Sequence, residues 1–482
     1  MAELAASAAA HQKPGLMTRI AYGVGGAAGG IKNNGFDYVL LLFYSQVLGL
    51  SAFYVAAAIW IALIFDAVSD PVVGYWSDNL RTRLGRRHPF MYIALVPIAL
   101  AYFFVWNPPA DLGQLHLFFW LLAMTVATRI MYTLFEVPHH ALAAELSQDY
   151  DERTSLMSFR YFFAWVGGLT VQIILFLFLL EPSEGDPSGY FHIDGWHTYG
   201  LLGATTIFFA IAITTFGTHR HIPHLKAPPP QRVLKPAQVF GEIFQIFTNP
   251  SFRALFIASL FGFLATGISA TLNQYINGFF WELTSDQIGI ITFSVYVSAI
   301  LALVIAPVAG KALGKKKAAI VVGALAFTIA PAPVLARQFG LMPPNGTDAL
   351  FYTVLFITLI DVALIIAYQM LAASMIADIV EQNELKTGRR SEGIFFAGIT
   401  FIRKLSQGIG VLTASFILGI AAIVPGMRLA ETSPESIRML GWGYGLMLLL
   451  IWTLMLISIS FYRISRADHE ENLAELGRRN AT

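Results

Sequence analysis

The sequence predicts an all-α integral membrane protein of twelve transmembrane helices in two six-helix halves, and three observations carry the prediction. First, hydrophobic residues make up 56% of the chain and charged residues only 13%, with a mean hydropathy of +0.62, where a soluble domain carries about 25% charged residues. Second, charge-free runs recur at the length needed to cross a ~30 Å hydrocarbon core, about 20 helical residues. Phe90 to Ala110, Tyr161 to Leu180, Ala254 to Trp281, Gln287 to Gly310, Leu405 to Met427 and Met439 to Tyr462 are such runs. Third, one short pattern recurs: Pro71 and Gly74 followed by Gly85-Arg86-Arg87, and Pro307 and Gly310 followed by Gly314-Lys315-Lys316. Each copy closes the second helix of its half, as duplicated transporters require.

Taken in order, residues 1–17 form a small, polar, cytoplasmic tail without the apolar core of a signal peptide, so the first span serves as its own targeting signal. Spans are expected near 18–48, 53–76, 89–107, 115–145, 159–181 and 198–217, which make an N-terminal bundle over 18–217. A cytoplasmic linker over 218–251 follows, with Pro228-Pro229-Pro230 as a stiff segment. In it, Val239, Phe240, Ile243, Phe244 and Phe247 fall at helical spacing, which fits a helix in the membrane interface or one packed on the protein's own cytoplasmic face. Spans near 252–281, 287–312, 318–336, 349–376, 393–424 and 440–463 make a C-terminal bundle over 252–463, followed by a cytoplasmic tail over 464–482.

Positive charge sets the orientation. Alternate loops hold Arg81, Arg83, Arg86 and Arg87, then Arg153, then Arg220, Lys226, Arg232 and Lys235, then Lys315 to Lys317, then Lys386, Arg389 and Arg390. The opposite loops hold only Arg337, Arg428 and Arg438 among several acids, so both termini are expected on the cytoplasmic side of a plasma membrane. The net charge of +1 and the lack of a basic domain give no sign of nucleic acid, and the absence of cysteine excludes disulfides, thiolate metal sites and cysteine nucleophiles.

The chemistry centres on span two. Asp66 and Asp70 lie four residues apart, hence on one helical face. Each ionised carboxylate near the bilayer centre costs about 2.5 to 3.5 kcal/mol on insertion scales, and two close together also repel. A bound cation relieves both problems, Na⁺ or H⁺ being suited to hard oxygen ligands, and Pro71 frees a backbone carbonyl in the preceding turn that could join the site. The competing reading pairs one acid with a structural arginine. In span eight the matching positions are Ala302 and Ala306, so the acids are not part of the repeated scaffold.

In span four, Arg129, Thr133 and Glu136 share a face by their spacing. Glu136 could bind substrate hydroxyls or a cation and Thr133 could add a neutral oxygen ligand, or either could hold helices together. Arg160 opens span five and Lys404 lies in span eleven, where buried cations facing carboxylates lock a conformation or bind a polar substrate. Asp37, Asn33 and Asn34 in span one, Trp165 in span five, and Tyr368 and Gln369 in span ten add hydrogen-bonding and aromatic groups that suit a sugar ring. Between spans two and three, Gly74, Asp78, Arg81, Gly85, Arg86 and Arg87 combine an acid, a glycine turn and basic side chains. That set fits a latch that breaks as the halves rock.

The Gly74 to Arg87 loop resembles the signature of the major facilitator superfamily. The run from Asp66 through Asp70 and Pro71 to Pro89, with Glu136-Val137-Pro138, Glu152 to Arg160 and Asp378 to Lys404, resembles the glycoside-pentoside-hexuronide:cation symporters of the melibiose permease type. The resemblance implies the major facilitator fold of two pseudosymmetric bundles. It also implies a coupling cation on Asp66, Asp70 and Thr133, and sugar-side or coupling roles for Glu136, Arg160 and Lys404. Three positions depart from that type: Gly30 stands in place of a span-one aspartate, Glu136 in place of an aspartate, and Ser69, counted here among the cation ligands, in place of an asparagine.

The expectation is therefore a secondary active transporter in a bacterial inner membrane that couples Na⁺ or H⁺ to symport of a sugar or glycoside by alternating access. It is expected to work as a monomer among membrane lipids, without a cofactor or catalytic residue. A lysolipid or other amphiphile is the alternative substrate, and a non-transporting receptor the alternative class. No nucleotide loop, metal cluster or nucleophile constellation points to an enzyme.

Overall fold

The computed structural model describes residues 14–147, 149–184, 186–225, 250–387, 392–463 and 478. The Pro228 to Pro230 segment, the helix expected around Val239 to Phe247 and most of both tails lie outside the described residues. Among those described there is no strand, only an isolated bridge between Ser183 and Asp186, and ten helices are long and apolar enough to cross a membrane. The chain divides into two compact units, Met1–Gln231 and Arg232–Thr482.

The first unit begins with α1 (Leu16–Val24), α2 (Gly26–Asn34) and the short α3 (Leu40–Leu42), interrupted by π-turns at Gly35–Val39 and Phe43–Val47. It continues with α4 (Ala52–Asn79), α5 (His88–Trp106), α6 (Gln114–Leu146), α7 (Tyr150–Ile174) and α8 (Ile193–His219). The first expected span is thus a broken helix, divided at Gly25, and is not among the ten; each π-turn in it adds a residue to a turn and shifts the faces that follow. Gly85, at φ +74°, takes the left-handed conformation that a side chain resists and turns the chain from α4 into α5. Asp149 caps α7 by accepting from the Glu152 backbone N–H at 2.9 Å.

The second unit comprises α9 (Pro250–Tyr275), α10 (Ser285–Leu313), α11 (Lys315–Ile329), α12 (Ala332–Gln338), α13 (Asp348–Thr387), α14 (Glu392–Ile420) and α15 (Pro434–Ser460). Thr284 and Gln287 form a capping box that starts α10. The expected ninth span divides into α11 and α12 at Pro331, and the tenth runs on as helix to Thr387, past its expected end at 376.

The same packing scheme builds each unit. In the first, α2 lies on α7, α4 on α6, and α5 on α6 and α8; in the second, α9 lies on α14, α10 on α13, and α11 on α13 and α15. Small residues set the closest of these approaches. Gly26 and Gly30 of α2 meet the backbone carbonyls of Arg160 and Ala164 so closely that a Cβ at either glycine would overlap the oxygen. Apolar side chains such as Phe65, Val68 and Val72 of α4 and Ile300, Leu303, Val304 and Val308 of α10 remain exposed, as a lipid-facing surface requires.

Candidate cation and substrate site

Packing of α4 against α6 brings Asp66, Ser69, Asp70 and Thr133 together. Thr133 is fully buried, and its hydroxyl lies 3.0 Å from Asp66 Oδ1 and 3.1 Å from Asp70 Oδ1, where its single proton serves one carboxylate at a time. Ser69 Oγ lies 3.4 Å from Thr133 Oγ1 and donates to the Asp66 backbone carbonyl at 3.2 Å. Asp66 is buried and Asp70 half-buried, so two acids and two hydroxyls share a small volume that opens on the Asp70 side. Pro71 lies inside a continuous α4, and its missing N–H removes the helical donor for the Ala67 carbonyl. Four oxygen-bearing side chains from two helices, carrying two formal negative charges, make a donor set for a hard monovalent cation.

Arg129, one turn before Thr133 on α6, reaches the other edge of Asp66. Its Nη1 stands 3.4 Å from Asp66 Oδ2, its guanidinium carbon lies 5.3 Å from the Phe36 ring centroid, and its Nε has no hydrogen-bond partner. One turn after Thr133, Glu136 accepts from Arg160 Nη2 at 3.2 Å. Tyr132 adjoins this group, and Lys32 of α2, buried, holds its Nζ 4.3 Å from the Tyr132 ring centroid. Lys32 is a residue that sequence reasoning passed over, although a lysine inside an apolar run is itself the signal of a functional group.

Other expected sugar-side residues separate. Asn34 donates to Gln172 Oε1 at 3.3 Å, Asp37 is half-buried in the π-turn after α2, and Asn33 and Trp165 are exposed on their unit. In the second unit Tyr368 is packed against Phe327 with its hydroxyl 3.5 Å from Met455 Sδ, Gln369 is exposed and Lys404 is buried. Ala302 and Ala306, at the register of the two acids, are buried in α10. At Gly30 the contact with the Ala164 carbonyl gives a physical reason for the missing span-one aspartate, since no side chain fits there.

At the end of α4 the loop residues form a second ionic group. Arg87 contacts Asp78 at 2.5 Å, Glu145 at 2.7 Å and Ser77 Oγ at 2.6 Å, and Arg86 contacts Glu145 at 2.8 Å. Glu145, near the end of α6, is the acid of this group that the sequence alone did not single out. Arg81 is exposed, while Gly74 is half-buried beside Val137. The second unit has a counterpart in Lys315 at the start of α11, bonded to Asp378 of α13 at 2.5 Å.

Comparison with known proteins agrees with this architecture. Residues 21–466 match the family described as MFS/sugar transport protein. An uncharacterized symporter of Synechocystis sp. is 26% identical, with 94% of this chain and 95% of that protein aligned. The isoprimeverose transporter of Lactiplantibacillus pentosus is 24% identical over 92% of this chain and 87% of its own. The crystal structure of a D-xylose-proton symporter superimposes with a TM-score of 0.62 at 15% identity, covering 91% of this chain and 96% of that one, which shows the shared fold. The chain therefore belongs to the MFS/sugar transport family and is a multi-pass membrane transporter rather than an enzyme.

Proposed function

We propose that this transporter is a cation-coupled symporter of a sugar or glycoside, with Asp66, Asp70, Thr133 and Ser69 holding the coupling cation. The observation that supports it most is the convergence of two carboxylates on one hydroxyl, 3.0 and 3.1 Å away, inside a membrane helix pair. Two acids this close repel in a low dielectric, and a bound cation removes that cost. The two hydroxyls favour Na⁺ over H⁺, because a proton needs one carboxylate and a metal ion needs a shell of oxygens. Glu136 and Arg160 supply a paired acid and base one turn away, which suits sugar hydroxyls, and the coupling role that the resemblance implies for Lys404, buried in the second unit, is kept.

The isoprimeverose named for the Lactiplantibacillus relative supports the substrate class. The wider reading has twelve spans, α1 to α3 and α14 completing the ten, with both termini on the cytoplasmic side of a bacterial inner membrane and a monomer as the working unit. Cation binding to Asp66 and Asp70 neutralises α4 and permits the change of access only when cation and substrate sites are both filled or both empty. Uptake into proteoliposomes tests the reading: Asp66→Asn and Asp70→Asn should each abolish cation-stimulated uptake while the protein remains in the membrane. Normal cation-dependent uptake in both variants would sink it. A thermal-shift screen of glycosides, uronides and lysolipids with and without Na⁺ identifies the substrate class, and stabilisation by lysolipids alone would overturn the sugar assignment.

A further inference from the structure

We infer that the cavity between the α4–α5 turn and the end of α8 binds the phosphate of an anionic phospholipid, whose acyl chains lie along the apolar face that α5 and α8 present to the membrane. The site lies within the first unit and does not depend on the cation-site reading.

The cavity measures about 170 Å³ and is lined by Arg83, Leu84, His219, Arg220, Ile222 and Pro223. Two arginines and a histidine are among its walls and no acid is. Asp78 and Glu145, the acids bonded to the same turn, are taken up by Arg86 and Arg87. Arg83 makes no hydrogen bond or ion pair among the described residues. Arg220 reaches no acid either: its Nη2 donates to Thr18 Oγ1 at 2.7 Å and its Nε to His221 Nε2 at 3.3 Å. His219 Nδ1 lies 2.6 Å from the Tyr92 hydroxyl, and where it accepts that proton, Nε2 carries the N–H of the ring. Thr82 donates to the Gly85 carbonyl at 2.6 Å and accepts from the Leu84 N–H at 3.1 Å, which fixes the turn that carries Arg83. Two guanidiniums with spare N–H groups and an imidazole N–H make a donor set for a phosphodiester.

The surroundings favour a lipid as the source of that phosphate. The cavity sits where the membrane helices Ala52–Asn79, His88–Trp106 and Ile193–His219 end, at the height of a headgroup. On α8, Phe209, Ile213 and Phe216 recur at four- and three-residue spacing, are 56%, 47% and 60% exposed, and lead along one face to Arg220. On α5, Val96 and Leu100 are exposed on the face of Tyr92, whose ring lies 5.4 Å from that of Phe216, so the two apolar stripes run side by side. A cationic cavity at the end of an apolar face matches both parts of a phospholipid, and a soluble phosphate would use only the first. A bound headgroup would tie the α4–α5 turn to α8 through one shared anion.

The test is thermal unfolding of the purified full-length protein in an uncharged detergent, titrated with phosphatidylglycerol or with phosphatidylcholine of the same acyl chains. Phosphatidylglycerol should raise the unfolding temperature of the wild type and phosphatidylcholine should not. In Arg83→Gln the half-stabilising phosphatidylglycerol concentration should rise roughly three- to five-fold, as expected for one exposed ionic contact, and in Arg83→Gln combined with Arg220→Gln roughly ten-fold or more. Arg83 has no partner to lose, so the single variant carries the test if removal of the Arg220 bond to Thr18 prevents folding. Lys317→Gln, which removes an exposed charge of the second unit, should respond as the wild type does. An equal response of the wild type to both lipids, an unchanged response in Arg83→Gln, or the same loss in Lys317→Gln overturns the site. Stabilisation by an excess of inorganic phosphate equal to that by phosphatidylglycerol overturns the lipid in favour of a soluble anion.

Discussion

Two buried arginines of the first unit, Arg87 and Arg129, are exposed to 5% and 4%, yet they are held in opposite ways. Arg87 has three partners, Asp78, Glu145 and Ser77, at 2.5 to 2.7 Å, and so ties the start of α5 to α4 and α6. Arg129 has one carboxylate contact at 3.4 Å and an aromatic ring. Burial alone does not tell a joint from an exchangeable charge; the number and length of the contacts do. A guanidinium whose donors are used up in short bonds fixes its neighbours, and one with a spare donor and a long contact holds its carboxylate less firmly. The group around Asp78 that the sequence marked as a latch is of the first kind, with Arg87 joining α4, α5 and α6 of the first unit.

The comparison can be broken at several points. The largest effect is expected from Arg87→Ala, which removes the shared partner of Asp78 and Ser77 and leaves buried Glu145 to Arg86 alone: about 3 kcal/mol of stability should be lost, read as thermal unfolding in detergent, and Na⁺ should not restore it. Arg129→Gln should cost less, about 1–3 kcal/mol in Na⁺-free buffer, because a single long contact is removed, and Na⁺ should recover most of the loss. Equal losses in the two variants, both indifferent to Na⁺, would erase the distinction. Thr133→Val keeps the shape and removes the hydroxyl, so the half-saturating Na⁺ concentration should rise about five- to ten-fold, in line with about 1 kcal/mol for one neutral oxygen ligand. The smallest effect belongs to Gly85→Ala. The nearest atom to an added Cβ is Ile222 Cγ2 at 3.5 Å, which is ordinary contact, so only the strain of φ +74° remains, about 1 kcal/mol in the same unfolding experiment.

Much of this was legible in the sequence, and the illegible part has a common cause. The class of fold followed from charge-free length, and the meeting of Asp66 with Asp70 followed from four-residue spacing, because both are properties of a single helix. Which face of a helix meets which neighbour is not such a property. Tyr368 and Gln369 are adjacent in sequence, yet one packs on Phe327 and the other is exposed, and in an all-round apolar helix nothing periodic separates them. The partnership of Arg129 with Asp66 depends on how α4 and α6 pack, and that of Glu145 with Arg87 on how the start of α5 meets α6, some 60 residues apart in the chain. The π-turns at Gly35–Val39 and Phe43–Val47 upset the first span for a related reason: one added residue per turn moves later side chains off the face that regular spacing assigns.

The glycine contacts between α2 and α7 have a mechanical consequence. With Gly26 and Gly30 seated on the carbonyls of Arg160 and Ala164, and Gly167 on Ala27, neither helix can slide past the other without driving an atom into the backbone opposite. The two therefore form a single strut, and a spectroscopic distance measured between labels on them is a built-in ruler that should hold constant through the transport cycle. The chain has no native thiols to remove, so such labels can be attached at introduced cysteines, with every other distance in the molecule calibrated against this one.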